Sequence, residues 1–142
     1  MPALERGLAK AGRSRSDFDV SAPIIVVSGL DAEAFEMSRQ IVKMQLAFYA
    51  STPSYKPVLE LHGWEDLLPT LNRLSKQGEW QKMGELISDE ILETFAVVCE
   101  DPAQIAPCFA QRYGDLIDTW HCTVDLPDRE LQSQLLRSLQ RR

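Results

Sequence analysis

Apolar positions along this chain change period several times, and each change marks an element. Residues Leu4 to Ala11 read as the end of a helix stopped by Gly12. Phe18 to Ser28, FDVSAPIIVVS, reads as a strand in which the run Ile24 to Val27 is apolar on both faces, as expected of a parallel strand covered on both sides. After Gly29, Asp31 can cap a helix whose Ala34, Met37, Ile41, Met44 and Phe48 recur at spacings of three and four, a stripe predicted to pack on the sheet.

The stretch FYASTPSYKPVLELHGW then interrupts the helix with Ser51, Thr52, Pro53 and Pro57, and shorter helical pieces follow. They are Val58 to His62, Asp66 to Lys76 with Pro69 in the first turn and Gly78 at the stop, a turn or two around Trp80, Met83 and Ile87, and a piece capped by Ser88 that carries Ile91, Leu92 and Phe95. FAVVCEDP reads as a short extended link, with Asp101 and Pro102 opening a helix that runs to Tyr113 and is expected to kink at Pro107. Leu116 to Val124 reads as a second strand, and Asp128 onward as a closing helix with Leu131, Leu135 and Leu139 on its stripe. Two strands more than eighty residues apart, each followed by helix, predict a mostly helical α/β chain with parallel crossover architecture.

Length and charge narrow the possible roles. The 142 residues suit a single domain over 1–142, too short for a complete large α/β barrel. A net charge of −6 argues against holding a phosphate backbone, so no nucleic-acid partner is expected. No run approaches the roughly 18 apolar residues of a membrane span, and MPALERGLAKAG has no signal-peptide core, so a cytoplasmic protein without a membrane partner is expected. Cys99, Cys108 and Cys122 lack the spacing of a zinc knuckle or a disulfide framework and read as small buried hydrophobes. His62 reads as a helix-end residue. His121 and Cys122 should face opposite ways on a strand, so no metal site is expected. No nucleophile elbow, phosphate loop or dinucleotide fingerprint occurs.

Four stretches in order carry a family resemblance: AFYASTPSYKPVLELHGW, LNRLSKQGEW, MGELISDEILETFAVV, and RYGDLID before a strand. Over about 4–126 the chain resembles the C-terminal part of the luciferase-like monooxygenase family, closest to the branch that uses a deazaflavin coenzyme. The resemblance implies the last two βα units of a (β/α)8 TIM barrel, the two strands here being its seventh and eighth. It also implies an oxidoreductase passing a hydride between flavin mononucleotide or the deazaflavin coenzyme F-420 and an organic substrate. Where the family has a Gly-Thr-Pro-Glu-Glu type helix start, this chain has CEDPAQIAP, with Cys99 in place of the glycine.

Barrel chemistry is assembled from loops after many strands, so two units hold a minority of a site. Neither cofactor is therefore expected to bind this chain tightly, and no catalytic or cofactor-binding residue is assigned. Tyr49, Ser51 and Tyr55 are the substrate-pocket candidates, because the proline break turns the helix away while the tyrosines offer flat apolar surfaces with polar ends. The plain alternative is aromatic packing at a helix junction. For the chain as a whole the expectation is a portion of an oxidoreductase inactive in isolation, joined by a homo-oligomeric copy or a complementary barrel fragment; the alternative is a remnant or small self-associating module without catalysis.

Overall fold

A computed structural model describes residues 2–114 and 116–123, with Ser133 and Arg137. The helix expected from Asp128 onward lies outside this range. The elements are α1 (Pro2–Ala11), β1 (Ser21–Val27), α2 (Ala32–Ala50), α3 (Lys56–Glu60), α4 (Leu67–Lys76), α5 (Trp80–Glu85), α6 (Asp89–Phe95), β2 (Ala96–Val98), α7 (Ile105–Tyr113) and β3 (Thr119–Thr123). The chain is mixed α/β, mostly helical, with parallel strands.

The local signals act where they stand. Gly12 and Gly78 adopt φ of 65° and 72°, which a side chain resists, and they end α1 and the turn after α4. The Asp31 carboxylate accepts from the Ala34 N–H at 2.8 Å, the Ser88 hydroxyl from Ile91 N–H at 3.2 Å, and the Asp101 carboxylate from Ala103 N–H at 2.9 Å.

Three strands form the sheet, in the order β2-β1-β3, with β1 parallel to both neighbours. The stretch expected to be a link is therefore a strand: Ala96, Val97 and Val98 pair with Ile25, Val26 and Val27. Both faces of β1 are covered. Val27 packs with residues of α2 to α6, including Val42, Leu46, Leu71, Met83 and Leu92. Ile24 and Val26 pack instead with Val97, Cys99, and Ile105 and Phe109 of α7. Parallel crossovers are right-handed, so a step from β1 out to one edge and a step from β2 back past it place their helices on opposite faces.

Two further expectations change. The α2 stripe Met37, Ile41 and Phe48 is exposed, at 58%, 54% and 50%; the buried stripe is Val42, Leu46, Ala47 and Ala50. α2 has apolar residues on two sides, and periodicity alone does not tell which side meets the sheet. Nor does Pro107 interrupt a helix. A 3-10 turn over Pro102–Gln104 comes first and α7 starts at Ile105, so Pro107 falls in the first turn, where no intrahelical bond is lost.

β3 is tied to β1 at its start. The Asp118 carboxylate accepts from the Val20 N–H at 2.8 Å and from the Arg15 guanidinium, while the Asp118 N–H donates to the Val20 carbonyl at 2.9 Å. The Val20 amide first, and Arg15 after it, hold this carboxyl below its ordinary 3.8. A lowered carboxyl contributes stability above that ordinary value and loses it as pH falls through the folded one. Relative to intrinsic rates, amide exchange at Asp118 and Thr119 should therefore quicken below pH of about 4. In Asp118→Asn it should already be fast at neutral pH; equal protection in the two proteins would contradict this.

Candidate functional site

The break after α2 is built by its own polar groups. The Ser51 N–H donates to the Ala47 carbonyl at 2.9 Å and its hydroxyl to the Phe48 carbonyl at 2.7 Å, closing the last turn. From α4, the Asn72 side-chain amide donates to the Ser51 carbonyl at 2.9 Å. Pro53 then opens a 3-10 turn, Pro53–Tyr55, that runs into α3. Ser51 is 4% exposed and its hydroxyl is taken up by the helix, so its place is that of a pin for the turn.

The same turn brings Tyr49 and Tyr55 together, ring centroids 5.8 Å apart and the rings tilted by 59°. They stand over a cavity of about 510 Å³. β2 is only three residues long and pairs with Ile25 to Val27, so among the described residues no strand lies beside Pro23 and Ile24 on that edge, and both line the cavity. Its floor is Ile24, Ile25, Leu46, Leu59, Ile87 and Ile91, and its rim carries Tyr49, Tyr55, Phe95, Tyr113, Gln45 and His121. The Gln45 amide donates to the Tyr49 hydroxyl at 3.3 Å, and the His121 ring nitrogen lies 3.1 Å from the Ser21 hydroxyl.

Of the three sequence candidates, Tyr49 and Tyr55 line the cavity and Ser51 does not. Gln45, Tyr113 and His121 were not singled out as pocket residues. Gln45 lies one helical turn before Tyr49, a signal available in principle, whereas Tyr113 and His121 reach the rim only through the strand order. His62 does not line the cavity but sits behind its rim, stacked on Trp64 at 4.6 Å and edge-on to Phe95 at 5.6 Å.

Among the described lining residues there is no lysine, arginine, aspartate or glutamate, and among the described residues no cluster could hold a metal ion. An apolar chamber with a few hydroxyl, amide and imidazole tips suits an uncharged, flat ligand. It does not fit the phosphate of flavin mononucleotide or of a deazaflavin coenzyme, which needs cations or a row of free N–H donors. No helix among the described residues is long and apolar enough to cross a membrane.

Comparison with known proteins identifies the lineage. Residues 1–119 match the family model for luciferase-like monooxygenases. The chain belongs to the luciferase-like monooxygenase family. Uncharacterised proteins of Mycobacterium bovis and Mycobacterium tuberculosis are each 54% identical to this luciferase-like chain over 98 residues, covering 69% of it and 29% of the relative. A 5,10-methylenetetrahydromethanopterin reductase of Archaeoglobus fulgidus is 28% identical over 99 residues, covering 66% of the chain and 29% of the reductase. The chain thus spans less than a third of the length of these relatives.

Proposed function

We propose that this chain supplies the C-terminal part of a luciferase-like oxidoreductase that moves a hydride between a flavin or deazaflavin and an organic substrate, its own share being an apolar wall of the substrate pocket. The cavity under Tyr49 and Tyr55 carries this reading, since its described lining is apolar and uncharged, which suits an organic partner better than a cofactor phosphate. The name of the reductase relative adds support for hydride chemistry on an organic molecule. In a barrel, strands stand in chain order with their helices outside. Completing one would take β3 from the edge of β1 to that of β2, and α7 to the face already occupied by α2.

The binding half of this reading is tested by titrating the chain with 2-naphthol, an uncharged planar probe, and with flavin mononucleotide. Saturable naphthol binding is expected, weakened about tenfold by Tyr49→Ala or Tyr55→Ala through loss of one aromatic wall. No saturable flavin binding is expected at micromolar concentration. One-to-one flavin binding, or naphthol binding indifferent to both substitutions, would count against it. The assembly half is tested by co-expression with the non-matching portion of the Mycobacterium tuberculosis relative: a one-to-one complex that takes up flavin or deazaflavin is expected.

A second reading is a self-associating module, favoured by one observation. Met37, Ile41 and Phe48 form an exposed apolar row on α2, and Phe48 meets the half-exposed Trp80 at 6.1 Å. If a second copy covers that row, sedimentation at micromolar concentration should show an oligomer that Ile41→Glu converts to monomer. A wild-type monomer would remove this reading.

A further inference from the structure

We propose that Cys99 and Cys108 form a dithiol that a small disulfide, such as oxidised glutathione, converts to an intramolecular disulfide pinning α7 to the end of β2. Three observations place the pair. Cys99 follows β2 directly, its N–H donating to the Val27 carbonyl at 3.0 Å, so its backbone is fixed by the sheet. Cys108 lies on α7 and packs against the same apolar cluster as Cys99, together with Ile105 and Phe109. Cys108 is the side chain that acts most on the Cys99 thiol, and neither is in a disulfide. Bridging needs β-carbons about 3.5–4.5 Å apart, a spacing that side chains packed at one small cluster can reach with little backbone movement. The connecting segment is stiffened by Pro102 and Pro107 and by the Asp101 cap, which holds the two cysteines in register.

Exposure sets the order of events. Cys108 is half-buried and Cys99 is 6% exposed, so the oxidant reaches Cys108 first. Its thiolate attacks one sulphur of the small disulfide, forming a mixed disulfide and releasing one small thiol. The Cys99 thiolate then attacks the Cys108 sulphur and expels the second. In sum, two protein thiols and one small disulfide become one protein disulfide and two small thiols. Burial first, then the neighbouring Cys108 thiol and the Asp101 charge, push the Cys99 thiol up to about 12. Among the described residues, Cys108 and Asp101 are the titratable groups that act on it. Arg112, the cation of the last turn of α7, is turned to the carbonyls of Glu93, Thr94 and Ala96. Only the thiolate attacks, so closure should quicken about tenfold per pH unit across the neutral range.

The test treats the whole chain with oxidised glutathione and follows its intact mass. The expected product has lost two thiol protons and carries no glutathione. Cleavage after Glu100 then separates the two positions, and their fragments should stay joined until reductant is added. Cys122→Ser should close normally, whereas Cys108→Ser and Cys99→Ser should not; if Cys99→Ser does not fold, the more exposed Cys108→Ser alone carries the comparison. A lasting glutathione adduct on Cys108, pairing with Cys122, or closure at a rate flat in pH would each overturn the proposal.

Discussion

Gly29→Ala is expected to destabilise the chain by about 3 kcal/mol or more, a large share of the 5–15 kcal/mol that holds a domain of this kind together. Gly29 joins β1 to α2, and the first turn of α2 lies directly against it. A β-carbon there would sit 2.2 Å from the Phe35 nitrogen and 2.6 Å from the Ala34 carbonyl carbon. Those are backbone atoms of a capped helix, so relief requires shifting α2 off the sheet rather than turning a side chain aside. Urea unfolding followed by far-ultraviolet circular dichroism measures the loss. Gly7→Ala is the control: it meets nothing within 4 Å in α1, and the same chemical change there should be neutral or should stabilise the helix by about 0.5–1 kcal/mol. Equal effects at the two sites would mean that the close approach at Gly29 is not what matters.

Ile87→Ala should cost about 2–5 kcal/mol and should be partly reversible by ligand. Ile87 is 1% exposed, belongs to the larger core cluster, and also lines the cavity beneath Tyr49 and Tyr55. Truncating it removes packing and leaves the chamber larger and still apolar. A probe that fits the enlarged space binds only the folded form, and at a hundred times its dissociation constant it restores about 2.7 kcal/mol. Val58, at the same cavity but 38% exposed, should lose little when cut to alanine. Thermal unfolding of both variants with and without 2-naphthol decides the matter; an Ile87→Ala chain as stable as the parent would show that the cavity floor has collapsed to fill the gap.

What could be read from the sequence followed the range over which each signal acts. The caps at Asp31, Ser88 and Asp101 and the stops at Gly12 and Gly78 bind or bend backbone within a few residues, so they are visible in the chain itself. β2 was missed as a strand because three residues carry no measurable period, and its pairing with β1 rests on partners 71 positions away, as for Ile25 and Ala96. The orientation of α2 was inverted because both of its sides are apolar, and only the sheet and α4 to α6 choose between them. At the candidate site, Tyr49 and Tyr55 were legible because one local turn joins them. Tyr113 and His121 were not, because they come to the rim from α7 and from the far edge of the sheet.

The central place of β1 in the sheet also sets a timetable. Ser21 and His121 touch across β1 and β3 but are 100 residues apart in the chain. At a synthesis rate of about 5–20 residues per second, β1 leaves the ribosome about 5–20 s before the strand that covers its second edge. Over that interval α2 to α6 can condense on one face, while Ile24 and Val26 wait for α7. The nascent chain therefore passes through a half-clad intermediate with a bare apolar strand, the stage at which a chaperone or a neighbouring chain on the same polysome has its opportunity to bind.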